Sequence, residues 1–150
     1  MKKTAVLVCA MLLGFAGQGW AATSETITVT VSLAETVSVS LDSHTWAIGA
    51  ITLGGTAGPA SYTATNNGNV PIDLTIRATN GAGGWTLASS PGADAFSVTV
   101  ASPAITLTTL DQALASNVAV SGTKGITLTY RAPTSDTIGG GVNQGFSIIV

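Results

Sequence analysis

Apolar and polar residues alternate near the N-terminus, from Thr26 to Leu41. Ile27, Val29, Val31, Leu33, Val37, Val39 and Leu41 hold odd positions, with Thr26, Thr28, Thr30, Ser32, Thr36, Ser38 and Ser40 between them. Period-2 alternation marks a strand with one buried face. At about 3.3 Å per residue the run spans roughly 50 Å, well beyond a usual strand of about 5 or 6 residues. Two arrangements fit. Either the chain folds back near Ala34-Glu35, or residues 22–34 form an N-terminal strand free to pair with another sheet edge.

The same period recurs downstream. Tyr62 and Ala64 alternate with Ser61, Thr63 and Thr65. Asn67-Gly68 then stands between two alternating runs, a hairpin signal, because both residue types accept positive φ. Val70, Ile72, Leu74, Ile76 and Ala78 form the next apolar face, opposite Pro71, Asp73, Thr75 and Arg77. Pro71 has no N–H and puts the start of this strand near a sheet edge. Trp85-Thr86-Leu87 reads as a short strand, and Pro91-Gly92 as a turn. Phe96, Val98 and Val100, then Ile105 and Leu107, then Ile126, Leu128 and Tyr130, and last Phe146, Ile148 and Val150 supply further inward faces. Residues 109–119 break the pattern: Leu110, Leu114 and Val118 have helical spacing and Asp111 suits a first turn, so a short helix or an irregular crossover is expected there.

These patterns predict eight or nine short strands and no βαβ alternation. The expected fold is all-β, a single two-sheet antiparallel sandwich of immunoglobulin-like or jelly-roll type, over residues 35–150.

Composition sets the compartment. Lys2 and Lys3 precede an uncharged apolar stretch from Thr4 to Phe15, and Gly19-Trp20-Ala21 closes it with small residues. Residues 1–21 therefore read as a signal peptide cleaved after Ala21, directing the protein to the periplasm, the cell surface or the medium. Cys9 lies inside this leader and is the one cysteine, so the mature domain has no disulfide and relies on its core. Cleavage leaves Arg77, Lys124 and Arg131 against seven carboxylates. Without a basic patch, nucleic acid is not an expected partner, nor is a membrane after cleavage.

Candidate chemistry is sparse. His44 is the single histidine, and Asp42-Ser43-His44 lacks the G-x-S-x-G setting of a hydrolase nucleophile. One histidine and no mature cysteine do not make a zinc site. Asp94 and Asp136, on loops at one end of a sandwich, are the candidates for a calcium site. No catalytic residue, cofactor or metal is expected. Aromatic side chains offer a binding reading: Trp46, Trp85 and Tyr130 could stack on sugar rings, although aromatics in a sandwich ordinarily anchor the core.

Short motifs carry resemblances. Thr65-Asn66-Asn67-Gly68-Asn69 resembles a hairpin of secreted bacterial β-sandwich domains. Gly84-Trp85-Thr86-Leu87 resembles the first W-x-L motif of WxL cell-surface proteins, and Leu128 to Pro133 resembles their late strand; the second W-x-L is missing here. A leader, an exposed first strand and a cysteine-free sandwich together resemble TasA-like matrix-fibre subunits. These resemblances imply a non-catalytic surface protein that self-associates, or joins other surface proteins, through Ile27, Val29, Val31 and Leu33. The alternative is a module that binds cell-wall or other polysaccharide through Trp46, Trp85 and Tyr130.

Overall fold

A computed structural model describes residues 27–138 and 144–150. The predicted leader and residues 22–26 lie outside the described residues. Nine strands form: β1 (Val39–Leu41), β2 (Thr56–Asn66), β3 (Ile72–Ala78), β4 (Thr86–Leu87), β5 (Ala95–Val100), β6 (Ile105–Thr106), β7 (Gln112–Val118), β8 (Thr123–Arg131) and β9 (Ile148–Ile149). No helix occurs among the described residues. The strands make two sheets, as expected for a sandwich. One has the order β1-β2-β8-β5-β4, with β6 also on β5; the other has the order β7-β3-β9. All pairings are antiparallel except β4 on β5, which is parallel.

Alternation builds these elements where it is cleanest. In β3, Ile72, Leu74, Ile76 and Ala78 are buried while Asp73 and Thr75 are exposed. In β8, Ile126, Leu128 and Tyr130 are buried; in β5, Phe96, Val98 and Val100. Together with Leu107 and Leu114 they form one core between the sheets. Phe96, Tyr130 and Phe146 cluster at one end of it, with ring centroids 4.9–5.7 Å apart. At such spacing each pair adds about 0.5–1.5 kcal/mol beyond the area buried.

The chain divides between Leu33 and Ala34 into two units, and all nine strands belong to the second. Residues 27–33 form no strand, and their apolar side chains are exposed: Ile27 by 87%, Val29 by 76%, Val31 by 77% and Leu33 by 88%.

Two expectations are corrected. Residues 109–119 hold no helix; most of the stretch is strand β7. Against β3 it has two register shifts, and its spacing of Val118, Ala115 and Ala113 opposite Ile72, Leu74 and Thr75 accommodates extra residues on β7. Such bulges break period 2 and leave Leu110, Leu114 and Val118 at a spacing that imitates a helix. Asn67-Gly68 is not a two-residue hairpin, since β2 and β3 belong to different sheets. Neither residue has positive φ. Pro71 lies just before β3, whose first residues pair with β7 alone, since β9 reaches only Arg77 and Ala78; the strand thus begins at an edge of its sheet, as expected.

Candidate functional site: an asparagine clasp and an apolar slot

The corner between β2 and β3 is built by Asn66, which is fully buried. Its amide nitrogen donates to the carbonyls of Val70, Val118 and Ala119 at 2.9, 3.0 and 3.2 Å, and its Oδ1 accepts the Gly68 N–H at 2.9 Å. A buried amide so fully satisfied fixes one backbone path. The corner then clasps the chain that precedes β1. The Thr36 N–H donates to Asn69 Oδ1 at 2.7 Å, the Asn69 N–H returns to the Thr36 carbonyl at 3.0 Å, and Asn69 Nδ2 donates to the Ala34 carbonyl at 2.7 Å. The Asn67 N–H and Nδ2 reach the Ser38 carbonyl and Ser40 Oγ. Gly68 is required here, because a Cβ would stand 2.3 Å from the Thr36 carbonyl oxygen.

Past β1 the chain leaves the sheet. The Asp42 N–H still donates to the Thr63 carbonyl, and the Thr63 N–H donates to Asp42 Oδ1 at 2.9 Å. From Ser43 to Ile51, among the described residues, the main chain takes part in one hydrogen bond, from the Tyr62 hydroxyl to the Thr45 carbonyl at 3.1 Å. This stretch lines a slot of about 780 Å³. Trp46, Ile48 and Ile51 contribute from it; Tyr62, Ile126, Leu128 and Tyr130 contribute from β2 and β8; Ile148 contributes from β9, and Phe146 and Val150 from either side of it; Trp85 and Gln144 also border it. No Asp, Glu, Lys or Arg lines the slot.

The β9 side of the slot is an open edge. The Thr79 N–H donates to the Ser147 carbonyl, and Arg77 and Ala78 pair with Ile149 and Ile148. In an antiparallel ladder alternate residues turn their backbone groups to opposite sides. Ser147 and Ile149 therefore face β3, and the N–H and C=O groups of Phe146, Ile148 and Val150 face away from it.

The structure brings Trp46, Trp85 and Tyr130 to the same slot, in different settings. Trp46 and Trp85 are half-buried, whereas Tyr130 is 4% exposed and stacks on Phe146. Burial pushes the Tyr130 phenol up to about 12; burial and the Asp42 charge also raise that of Tyr62. Trp85 is held by Gln144, whose Oε1 accepts its backbone N–H at 3.1 Å. His44 borders the slot, while Asp42 is engaged by Thr63.

Asp94 and Asp136 do meet, on the loops beside β5. Asp94 accepts the Thr137 N–H at 2.6 Å and the Thr137 hydroxyl, which hold its carboxyl below the usual range. Asp136 Oδ1 accepts the Ile138 N–H at 3.1 Å. Their oxygens thus serve loop closure, and no group of three or more metal-ligating side chains forms among the described residues.

The slot itself was not legible in sequence. Its border residues include ordinary strand positions, and what distinguishes them is that residues 43–51 and the outer edge of Phe146–Val150 have no backbone partner among the described residues. No family model, curated protein or solved structure matches this chain.

Proposed function

We propose that this is a non-catalytic extracellular structural protein whose subunits assemble into surface or matrix filaments by β-strand addition. The observation that carries the reading is the segment Ile27–Leu33: four apolar side chains at period 2, all exposed, on backbone that forms no strand. Entering a neighbour's sheet would give such a segment both a main-chain ladder and cover for alternate side chains. Magnitudes show why both are needed. Fully burying a Val, Leu or Ile contributes about 1.5–3 kcal/mol, whereas association costs about 4–15 kcal/mol before any contact is made. Four side chains roughly break even, and the ladder supplies the surplus. Addition of this kind is head-to-tail, so it propagates as an open fibre unless the rotation closes a ring.

Electron microscopy of the purified mature protein tests the reading. Fibres that vanish on deletion of residues 22–33, with the strand signal in circular dichroism kept, support it. A wild-type protein that stays monomeric at high concentration removes it.

A second reading is a polysaccharide-binding module, supported by the convergence of Trp46 and Trp85 on one slot. Retention on peptidoglycan or insoluble glycans, lost when both tryptophans are replaced by alanine, would favour it.

A further inference from the structure

We infer that the slot bordered by residues 43–51 and Phe146–Val150 is the acceptor for segment Ile27–Leu33 of a second copy of this chain. The inference rests on the strand-addition reading and names the receiving site.

Four observations converge on that occupant. The slot offers unpaired backbone from two stretches, as an inserted strand needs: residues 43–51 have no main-chain partner among the described residues, and Phe146, Ile148 and Val150 turn their backbone groups away from β3. One wall is apolar and aromatic, with Tyr62, Ile126, Leu128 and Ile148; the polar Ser43, Thr45, Gln144 and Ser147 border it, and no Asp, Glu, Lys or Arg lines it. The segment matches this, since Ile-Thr-Val-Thr-Val-Ser-Leu carries no charge and puts Ile27, Val29, Val31 and Leu33 on one face. Length also matches. Ile27 to Leu33 extends about 20 Å at 3.3 Å per residue, within the reach of the nine-residue stretch 43–51 even if that stretch is not fully extended. Of the three aromatic residues that could stack on a glycan, Tyr130 is 4% exposed and packed on Phe146, so it offers no free ring face.

The clasp gives the arrangement a fixed root. Asn69 holds the chain at Ala34 and Thr36, so the donor residues begin immediately upstream of an anchored point.

Two measurements on the mature chain test the assignment. In the first, a chain carrying Val29→Asp and Val31→Asp, which disables its own segment, is titrated with a synthetic peptide of residues 27–34. Trp46 and Trp85 border the slot and are the two tryptophans outside the predicted leader, so insertion is expected to move their emission to shorter wavelength, saturably. The same peptide with both valines replaced by aspartate is expected to bind more than about tenfold more weakly. In the second, a Thr30→Cys chain is mixed with a Ser147→Cys chain; both positions are exposed, and each alternates with apolar neighbours in sequence. A short bifunctional thiol reagent is expected to join the two, and to fail when Ser116→Cys on β7 replaces Ser147→Cys.

Fibres without the Thr30–Ser147 cross-link and without the peptide shift would overturn the slot while leaving strand addition standing. A peptide shift and cross-link in a protein that never forms fibres would support the slot and overturn filament assembly. An emission shift with cell-wall glycan fragments but not with peptide would overturn the assignment, as would a Thr30–Ser147 link closing within one doubly substituted chain at high dilution.

Discussion

Asn66 shows how one side chain can set a path that hydrophobic pattern leaves open. Its amide bonds to three carbonyls from two segments, Val70 on one and Val118-Ala119 on the other. Asn66→Ala leaves those part-buried acceptors short of donors and is expected to cost about 1–3 kcal/mol in urea unfolding; a loss below about 0.5 kcal/mol, the ordinary surface value, would contradict the role given to it. Ionisable residues carry a pH prediction at the same scale. Thr137 lowers the Asp94 pKa and the Thr63 N–H lowers that of Asp42. A carboxylate held below its unfolded value stabilises the fold above about pH 4, and that contribution is lost as pH falls through the lowered pKa. Asp94→Asn is therefore expected to flatten the acid limb of a stability-against-pH curve. Tyr130 works in the opposite range. Its phenol, neutral in the core, favours the fold below its ordinary value near 10, and the advantage disappears as pH rises from about 10 toward about 12. Tyrosinate absorbance is expected to show both tyrosines titrating above the free phenol in the native protein, and to fall back to it in urea.

Elements differ in how plainly the sequence announces them, and the cause is physical. β3 and β8 each turn one apolar face to the core, so their buried positions alternate without a break, and β5 keeps an apolar face of Phe96, Val98 and Val100 although Ser97 between them is buried too. β7 lies at the outside of its sheet, buries chiefly Leu114 and pairs through bulges. Few buried positions plus a broken period leave too little signal to separate strand from helix. The turn at Asn67-Gly68 misleads for another reason: alternation on both sides tells which face is apolar but not which sheet receives each strand. The slot is hidden likewise, because unpaired backbone has no sequence signature. Two variants separate the core from the proposed donor segment. Phe96→Ala, at the centre of the aromatic cluster, is expected to cost about 3–5 kcal/mol. Val29→Asp with Val31→Asp, on exposed positions, is expected to shift stability by no more than about 0.5 kcal/mol while removing assembly. A large stability loss in the double variant would show that the segment belongs to its own subunit's core.

At the scale of the whole molecule, the proposed strand exchange would use three parts: the exposed apolar segment Ile27–Leu33, the clasp on Ala34 and Thr36, and a slot whose stretch 43–51 has no main-chain partner among the described residues. The sandwich needs none of residues 27–33 for its core, which is formed from Ala64 to Ala132 with flanking side chains on either side. Sedimentation of the mature wild-type chain beside the Val29→Asp/Val31→Asp variant tests this most directly. The account predicts large polymers for the wild type and a folded monomer for the variant, with identical circular dichroism. A wild-type chain that sediments as a monomer at high concentration, or a variant that polymerises as the wild type does, would contradict it.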